Sequence, residues 1–470
     1  MKKITIDDIV RVSGGKLLYG NPEETVENLS TDSREMPAEA LFVPISGESF
    51  DGHDFIAKAL ENGAKAVISA KEAPLHDWAE AHPSDQRNLI LVSDTLSAVQ
   101  KIGAFARSLL SIRAVGVTGS VGKTTTREMI SAALSSQKKV YRTGKNYNNK
   151  LGVPITLCEM SDDYDLAVLE LGLNVPDELG TISSLTDLSC AVITNIGVAH
   201  MEYYGNQDRL TEEKMTVTRG FYPGRKEEHV LFLNGDDPYL MKYKDYSGYP
   251  VRIYGTGENA AYRAIDIRPK NGCYSFEFVK DGVPQFRVNL SVPGVHNVLN
   301  ALAALAVSDY FGLELQKAAA SLSEFTGFSG RLQRHEKDGI VYIDDTYNAS
   351  PASMKAGLRV LSEMTPEQGG RRIAVLGDML ELGTDSKKFH YEVGQEMLSM
   401  LPQALFLYGE EAQEIGKAVR DGAGDCEIHT APDLSALKDS ITAFAKPGDI
   451  VYFKASHGMH FSPLLAEILK

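Results

Sequence analysis

Residues 116–126 read GVTGSVGKTTT, and this stretch decides the architecture. It ends in the Gly-Lys-Thr of a phosphate-binding loop. The usual spacing, Gly, four residues, then Gly-Lys-Ser/Thr, would need a glycine at position 117, which is Val117. The glycines fall instead at Gly116, Gly119 and Gly122. Val115–Val117 reads as a strand, and the glycines let the chain turn where a side chain would clash. The following TTTREMISAALSSQ puts Met129, Ile130, Ala133 and Leu134 on one helical stripe. In that strand–loop–helix context, backbone N–H groups and the helix N-terminus hold a polyphosphate. Lys123 neutralises its outer oxygens and the Thr124 hydroxyl ligates magnesium. The competing reading is a lysine followed by an N-capping threonine on an ordinary helix.

Outward from the loop, apolar β-rich runs alternate with helical stretches: LAVLELG (166–172), AVITNIG (191–197) and HVLFLNGDD (229–237). Runs apolar on both faces and separated by helices predict a parallel sheet covered on both sides. Residues 274–292 alternate more strictly and predict a hairpin; a helix follows over 296–312. EFTGFSGRLQR (324–334) reads as a link into a third unit, which repeats the rhythm in IVYIDD, RRIAVLGDM, ALFLYG and DIVYFKAS. The first hundred or so residues show the same α/β rhythm on a smaller scale, in ALFVPI and FIAKALENGAKAVIS, and a boundary is expected near RSLLSIRA. The expected fold is α/β in three domains: a small N-terminal domain (1–110), a central P-loop parallel-sheet domain (111–327) and a C-terminal Rossmann-like domain (328–470). A chain of 470 residues suits about three domains.

Forty-eight basic against 63 acidic residues leave a net charge of −15, the wrong sign for a chain that binds nucleic acid along its length. Cys158, Cys190, Cys273 and Cys426 are scattered without metal-type spacing, which suggests reduced thiols in a cytoplasmic protein. The N-terminal MKKITIDDIVRVSGG has no apolar core of secretory length, and no run approaches the roughly 20 apolar residues of a membrane span.

Glu170 and the Thr194–Asn195 pair end buried-looking strands, where open parallel sheets bind ligands. A carboxylate there is costly unless used, so Glu170 is a candidate magnesium ligand beside Thr124. His200 is either a third ligand or a loop histidine. Lys214, in RLTEEKMTV, reads by itself as a solvated helix lysine. In YIDDTYNASP, Asp344 and Asp345 end a strand; N-cap chemistry alone would account for Asn348 and Ser350. Lys454 ends the last strand.

Taken together, these stretches resemble the Mur ligase family, ATP-dependent amide-forming enzymes of peptidoglycan precursor synthesis. Its loop frame, T-G-x-x-G-K-T, stands here as Thr118–Thr124. The resemblance spans nearly the whole chain, through STDSREMPAEALFVPISGESFDGHDFI, KNYNNKLGVPITL, LELG, TNIGVAHMEYYG, PGVHNVLNALAA, SGRLQR, DDTYNASPASM, AVLGDMLELG and KASHGMH. DDTYNA and LGDMLELG point to the member that adds D-alanyl-D-alanine to a UDP-N-acetylmuramoyl-tripeptide through an acyl phosphate.

The resemblance implies that Gly119, Ser120, Val121, Gly122, Lys123, Thr124 and Thr125 bind ATP phosphates. Thr124, Glu170 and His200 would serve Mg2+, with Lys214 as a carbamylated lysine on a second ion. It implies that Asn297 and Asn300 lie near adenine and that Arg331 and Asp345 close over the nucleotide. Asp32, Ser33, Arg34 and Gly47 would cradle the UDP-sugar, with Asn146 and Asn149 on a substrate-facing loop and Asn348 and Ser350 toward the dipeptide. Its partners would be these small molecules, with no nucleic acid and no membrane span, and the chain a monomer. Two positions depart from the family: Thr216 stands where an acidic residue is common, and His457 stands where the last motif usually has another basic residue. The rival readings are a relative with another amine substrate, including one extending a glutamate chain on folate, and a P-loop NTPase switch without ligase activity.

Overall fold

The computed structural model describes residues 2–47, 50–144, 146–197, 201–222, 228–246, 248–367 and 369–470. The chain packs as two compact units, residues 1–127, 137–233 and 237–252 in one and 128–136, 234–236 and 253–470 in the other.

The first unit carries a two-stranded antiparallel ladder, Ile4–Thr5 against Thr25–Val26, and two larger arrays of strands. Its N-terminal sheet has five strands in the order Lys16–Tyr19, Asn88–Leu91, Ala66–Ser69, Ala40–Phe42, Asn28–Ser30. Only the Lys16–Tyr19 edge is antiparallel. The other array consists of five strands that pair in parallel, β1 (Arg113–Thr118), β2 (Val140–Arg142), β3 (Leu166–Glu170), β4 (Cys190–Ile193) and β5 (Val230–Asn234). Their order is β5-β4-β1-β3-β2. Ala114, Ala167, Leu169, Ala191, Ile193, Leu231 and Leu233 fill one buried cluster, while Val115, Val117, Val168 and Val192 are equally buried. Both faces of these strands are covered, which is why they read as continuous apolar runs. Helix α1 (Lys123–Ser135) follows β1 directly, and α2 (Gln207–Met215) follows β4.

The second unit opens with an antiparallel meander, Tyr262–Lys270, Cys273–Lys280 and Val283–Asn289. The expected hairpin is its second half, and it turns at Asp281 (φ 47°) and Gly282 (φ 80°), the two left-handed residues that a tight hairpin needs. Helix α3 (His296–Tyr310) is buried along most of its length. The C-terminal sheet contains β6 (Ile340–Asp344), β7 (Arg372–Gly377), β8 (Ala404–Tyr408), β9 (Glu427–Thr430) and β10 (Ile450–Lys454). The spatial order is β6-β10-β7-β8-β9, all parallel, with Gln333–Lys337 antiparallel on the β6 edge. The chain steps outward from β7 to β9 and returns to place β10 between β6 and β7. That reversal opens a crevice at the carboxyl ends of β6, β10 and β7. Helices α4 (Pro351–Glu363) and α5 (Ser386–Met397) follow β6 and β7. Among the described residues, no helix is long and apolar enough to cross a membrane.

Candidate active site

The loop between β1 and α1 is held rather than free. Gly119 has φ 147°, and a Cβ there would fall 1.9 Å from Thr194 Oγ1. Gly122 has φ 84°. These are the two positions where the backbone requires glycine. Both faces of the Val121 peptide are gripped from the end of β4. Val121 N–H donates to Asn195 Oδ1 at 2.9 Å, and Val121 O accepts from Asn195 Nδ2 at 2.9 Å and Thr194 Oγ1 at 2.7 Å. Ser120 N–H donates to Asn195 O at 3.0 Å. Asn195 therefore holds two loop N–H groups, those of Ser120 and Val121. Lys123 Nζ folds back on the loop and donates to Gly119 O at 2.8 Å and Ser120 O at 3.2 Å. Ser120 Oγ is buried without a hydrogen-bond partner. The donor set of lysine, loop N–H groups and an unsatisfied hydroxyl suits a polyphosphate.

Glu170 ends β3, the strand beside β1. Its Oε1 accepts from Asn148 Nδ2 at 2.9 Å and its Oε2 faces Arg127 Nη1 at 3.2 Å, with Arg127 and Glu170 both nearly inaccessible. Arg127 lies one helical turn after Lys123, so α1 supplies both the phosphate lysine and the counter-charge for this carboxylate. Thr124 is buried at the N-terminus of the same helix. No group of three or more His, Cys, Asp or Glu side chains with the geometry to hold a metal occurs among the described residues. A magnesium ion here would rest on Thr124, Glu170 and phosphate oxygens, the sparse protein set usual for Mg2+ on a nucleotide. His200 lies outside the described residues.

Lys214 overturns its reading as a solvated lysine. It sits in the last turn of α2 but is only 1% exposed. Helical periodicity shows which face a residue takes, and here α2 is buried on that face. Desolvation pushes its amine well below the usual lysine range, Lys123 pushes the same way, and Glu213 opposes them. Beside it, Glu213 is buried and its carboxyl is raised by desolvation; Oε2 accepts Asp177 N–H at 3.2 Å, while Oε1 has no partner. Thr216 turns its hydroxyl onto Glu213 O at 2.6 Å.

In the N-terminal sheet's loops, Asp32 holds Arg34 by both guanidinium and backbone, with Oδ1 at 2.9 Å from Nε and Oδ2 at 2.6 Å from Nη2. The Arg34 side chain stays 84% exposed. Ser33 lines a cavity of about 180 Å³ with Thr31, Phe42, Ile45, Phe50 and Phe55. Gly47 N–H closes a turn on Phe50 O at 2.9 Å. Asn149 Oδ1 accepts from Leu151 and Gly152 N–H at the start of a helix. Asn146 Oδ1 accepts from Asn148 Nδ2 at 3.3 Å, which makes Asn148 the shared donor for Asn146 and Glu170.

In the second unit, Asn297 and Asn300 are buried on α3 and joined to each other at 2.8 Å. Arg331 lies over the Tyr347 ring at 4.2 Å, and its buried Nε has no hydrogen-bond partner. Asp345 Oδ2 accepts from Lys454 Nζ at 2.6 Å and Tyr452 Oη at 2.8 Å. Burial, then the Asp345 charge, holds the Tyr452 hydroxyl well above the ordinary tyrosine range. Lys454 also donates to Asn348 O at 3.0 Å. Asp344 has the separate task of bracing the turn through Gly330 and Thr346. Ser350 caps α4 in a reciprocal box with Ser353, and the Asn348 side chain accepts from Ala349 N–H. Sequence reasoning missed Asn148, Arg127, Tyr452 and the bracing by Asn195. The partners that give them their roles lie 22 to 107 positions away in the chain, so the residues next to them carried no signal of these contacts.

A braced glycine loop with its lysine at the carboxyl edge of a parallel sheet, and a carboxylate on the adjoining strand, define a P-loop nucleotide-binding α/β protein. Three family models match in sequence along the chain: the Mur ligase family catalytic domain over residues 25–107, the Mur ligase middle domain over 117–308 and the Mur ligase glutamate ligase domain over 330–457. The chain belongs to the Mur ligase family. It is 35% identical to the UDP-N-acetylmuramoyl-tripeptide–D-alanyl-D-alanine ligase of Bacillus subtilis, across 100% of this chain and 99% of that one. A crystal structure of MurF from Acinetobacter baumannii matches with a TM-score of 0.86 at 26% identity, covering 100% and 99% of the two chains. MurF ligase from Thermotoga maritima in complex with ADP matches at 0.79 and 27%, covering 94% and 97%.

Proposed function

We propose that this chain joins D-alanyl-D-alanine to UDP-N-acetylmuramoyl-tripeptide at the expense of ATP, a step of peptidoglycan precursor synthesis. The observation that carries the reading is the loop braced by Asn195, with Lys123 and Glu170 at its mouth. The carboxylate ending the tripeptide attacks the γ-phosphoryl of ATP, forming an acyl phosphate and releasing ADP. Lys123 leaves its loop carbonyls for the phosphate oxygens and neutralises charge as it moves. Magnesium, when bound, shields the same oxygens, and Thr124 and Glu170 are the residues to hold it, with His200. The dipeptide amine then attacks the acyl carbon and phosphate departs.

Lys214 is the residue suited to carbamylation. A buried amine driven toward its neutral form is the species that adds CO2, and the product is an anion facing Lys123. Asp32, Ser33, Arg34 and Gly47, with the adjoining cavity, are assigned to the UDP-sugar, and Asn146 and Asn149 to the substrate loop. Asn297, Asn300, Arg331 and Asp345 are assigned to the nucleotide, and Asn348 and Ser350 to the dipeptide. The chain works as a cytoplasmic monomer. The test is phosphate release from purified protein with ATP, UDP-N-acetylmuramoyl-tripeptide and D-alanyl-D-alanine. Release that needs both acceptor and dipeptide is expected; release from ATP alone would mark a switch instead, and release with a single amino acid a relative with another amine.

A further inference from the structure

The crevice at the carboxyl ends of β6, β10 and β7 is bordered by three loops, and the one after β7 is held at each of its first three residues. Asp378 O accepts Ser456 N–H at 3.0 Å, and Asp378 Oδ1 accepts Ala412 N–H at 2.7 Å. Met379 N–H donates to Nε2 of the fully buried His390 at 2.9 Å, so the ring proton sits on Nδ1, which donates to Ser386 O at 2.8 Å. Leu380 N–H donates to Ser456 Oγ at 2.8 Å. Three successive residues are thus fixed to three other segments.

The side chain at the tip of this rigid loop is apolar and open. Leu380 is 43% exposed, the only exposed large hydrophobic between residues 328 and 470 among the described residues. A single exposed leucine is ordinary on a surface; one displayed on a loop fixed by buried donors is placed for contact. Its neighbours make a small floor. A Cβ on Gly458 would meet Leu380 Cδ1 at 3.0 Å, so bare backbone lies beneath it, and the adjoining His457 ring stands 6.1 Å from that of Tyr347. At the carboxyl ends of β10 and β6 lies the Lys454–Asp345 pair. The surface offered is apolar on the scale of a methyl group, set at the edge where this sheet type binds ligands.

We propose that the Asp378–Leu382 loop selects the amine substrate, with Leu380 as the specificity-determining contact for the small side chains of the incoming dipeptide and His390 as the residue that positions the loop. This rests on the ligase reading above. Losing such a contact costs about tenfold, the low end of what a methylene-sized change in an apolar site gives.

The test uses the full chain and follows phosphate release while the dipeptide is varied among D-alanyl-D-alanine, D-alanyl-D-valine and glycylglycine. Leu380→Ala is expected to lower kcat/KM for D-alanyl-D-alanine about tenfold and to favour D-alanyl-D-valine relative to wild type. The KM for ATP should stay within about twofold, with an unchanged thermal melt because the side chain is open. Leu380→Phe, which fills the same spot, should discriminate further against D-alanyl-D-valine. His390→Gln keeps an acceptor for Met379 and should retain the wild-type preference, whereas His390→Leu should raise the dipeptide KM. Wild-type preference and KM in both Leu380 variants would overturn the inference while leaving the ligase reading intact. A wild-type chain that releases no phosphate with any dipeptide overturns the ligase reading, and this inference with it.

Discussion

Gly119→Ala tests the brace on the phosphate loop. Alanine at φ 147° sits in a region that only glycine occupies without strain, at about 1–3 kcal/mol. Its Cβ would also lie 1.9 Å from Thr194 Oγ1 and 3.1 Å from the Thr194 backbone nitrogen. Rotating the threonine away relieves the first contact but gives up its 2.7 Å bond to Val121 O, about 1 kcal/mol; the contact with the backbone nitrogen remains. The sum is about 2–4 kcal/mol against the braced conformation. If ATP binds only that conformation, its affinity falls about 30- to 700-fold, at 1.4 kcal/mol per decade. Calorimetric titration with ATP measures this directly, with UDP-N-acetylmuramoyl-tripeptide as the control ligand, whose affinity should hold because its assigned residues lie in other loops. An alanine variant that binds ATP within about threefold of wild type would refute the claim that the Thr194–Asn195 brace shapes the loop.

Two further changes probe buried groups. Lys214→Ala should be nearly inactive and partly restored by acetate or propionate, since the reading makes the missing group an anion; wild-type turnover in the variant would remove Lys214 from the chemistry. Gly357→Ala separates local propensity from packing: alanine inside α4 would ordinarily gain up to about 1 kcal/mol, but its Cβ would fall 1.7 Å from Tyr452 Oη, which bonds Asp345. Overpacking of about 1–3 kcal/mol should win, so denaturant melts should show net destabilisation, and a more stable variant would contradict the packing of Tyr452 against α4.

What the sequence by itself determined was local in origin. Glycine spacing, a β-branched run and a helical stripe located the phosphate loop, because each depends on neighbouring residues only. Continuous apolar runs at 166–172 and 191–197 announced strands covered on both faces, and such runs placed Glu170 and Asp345 at strand ends. Tertiary structure alone decided the rest. Asn195 looked like one more strand-end residue until it met Val121, 74 positions earlier. Asp345 found its counter-ion in Lys454, 109 positions later, only because β10 inserts beside β6. Lys214 shows the reason most plainly. Its helical setting is written in the residues around it, but whether that face of α2 meets water is set by what packs there, and that burial holds the amine well below the usual lysine range.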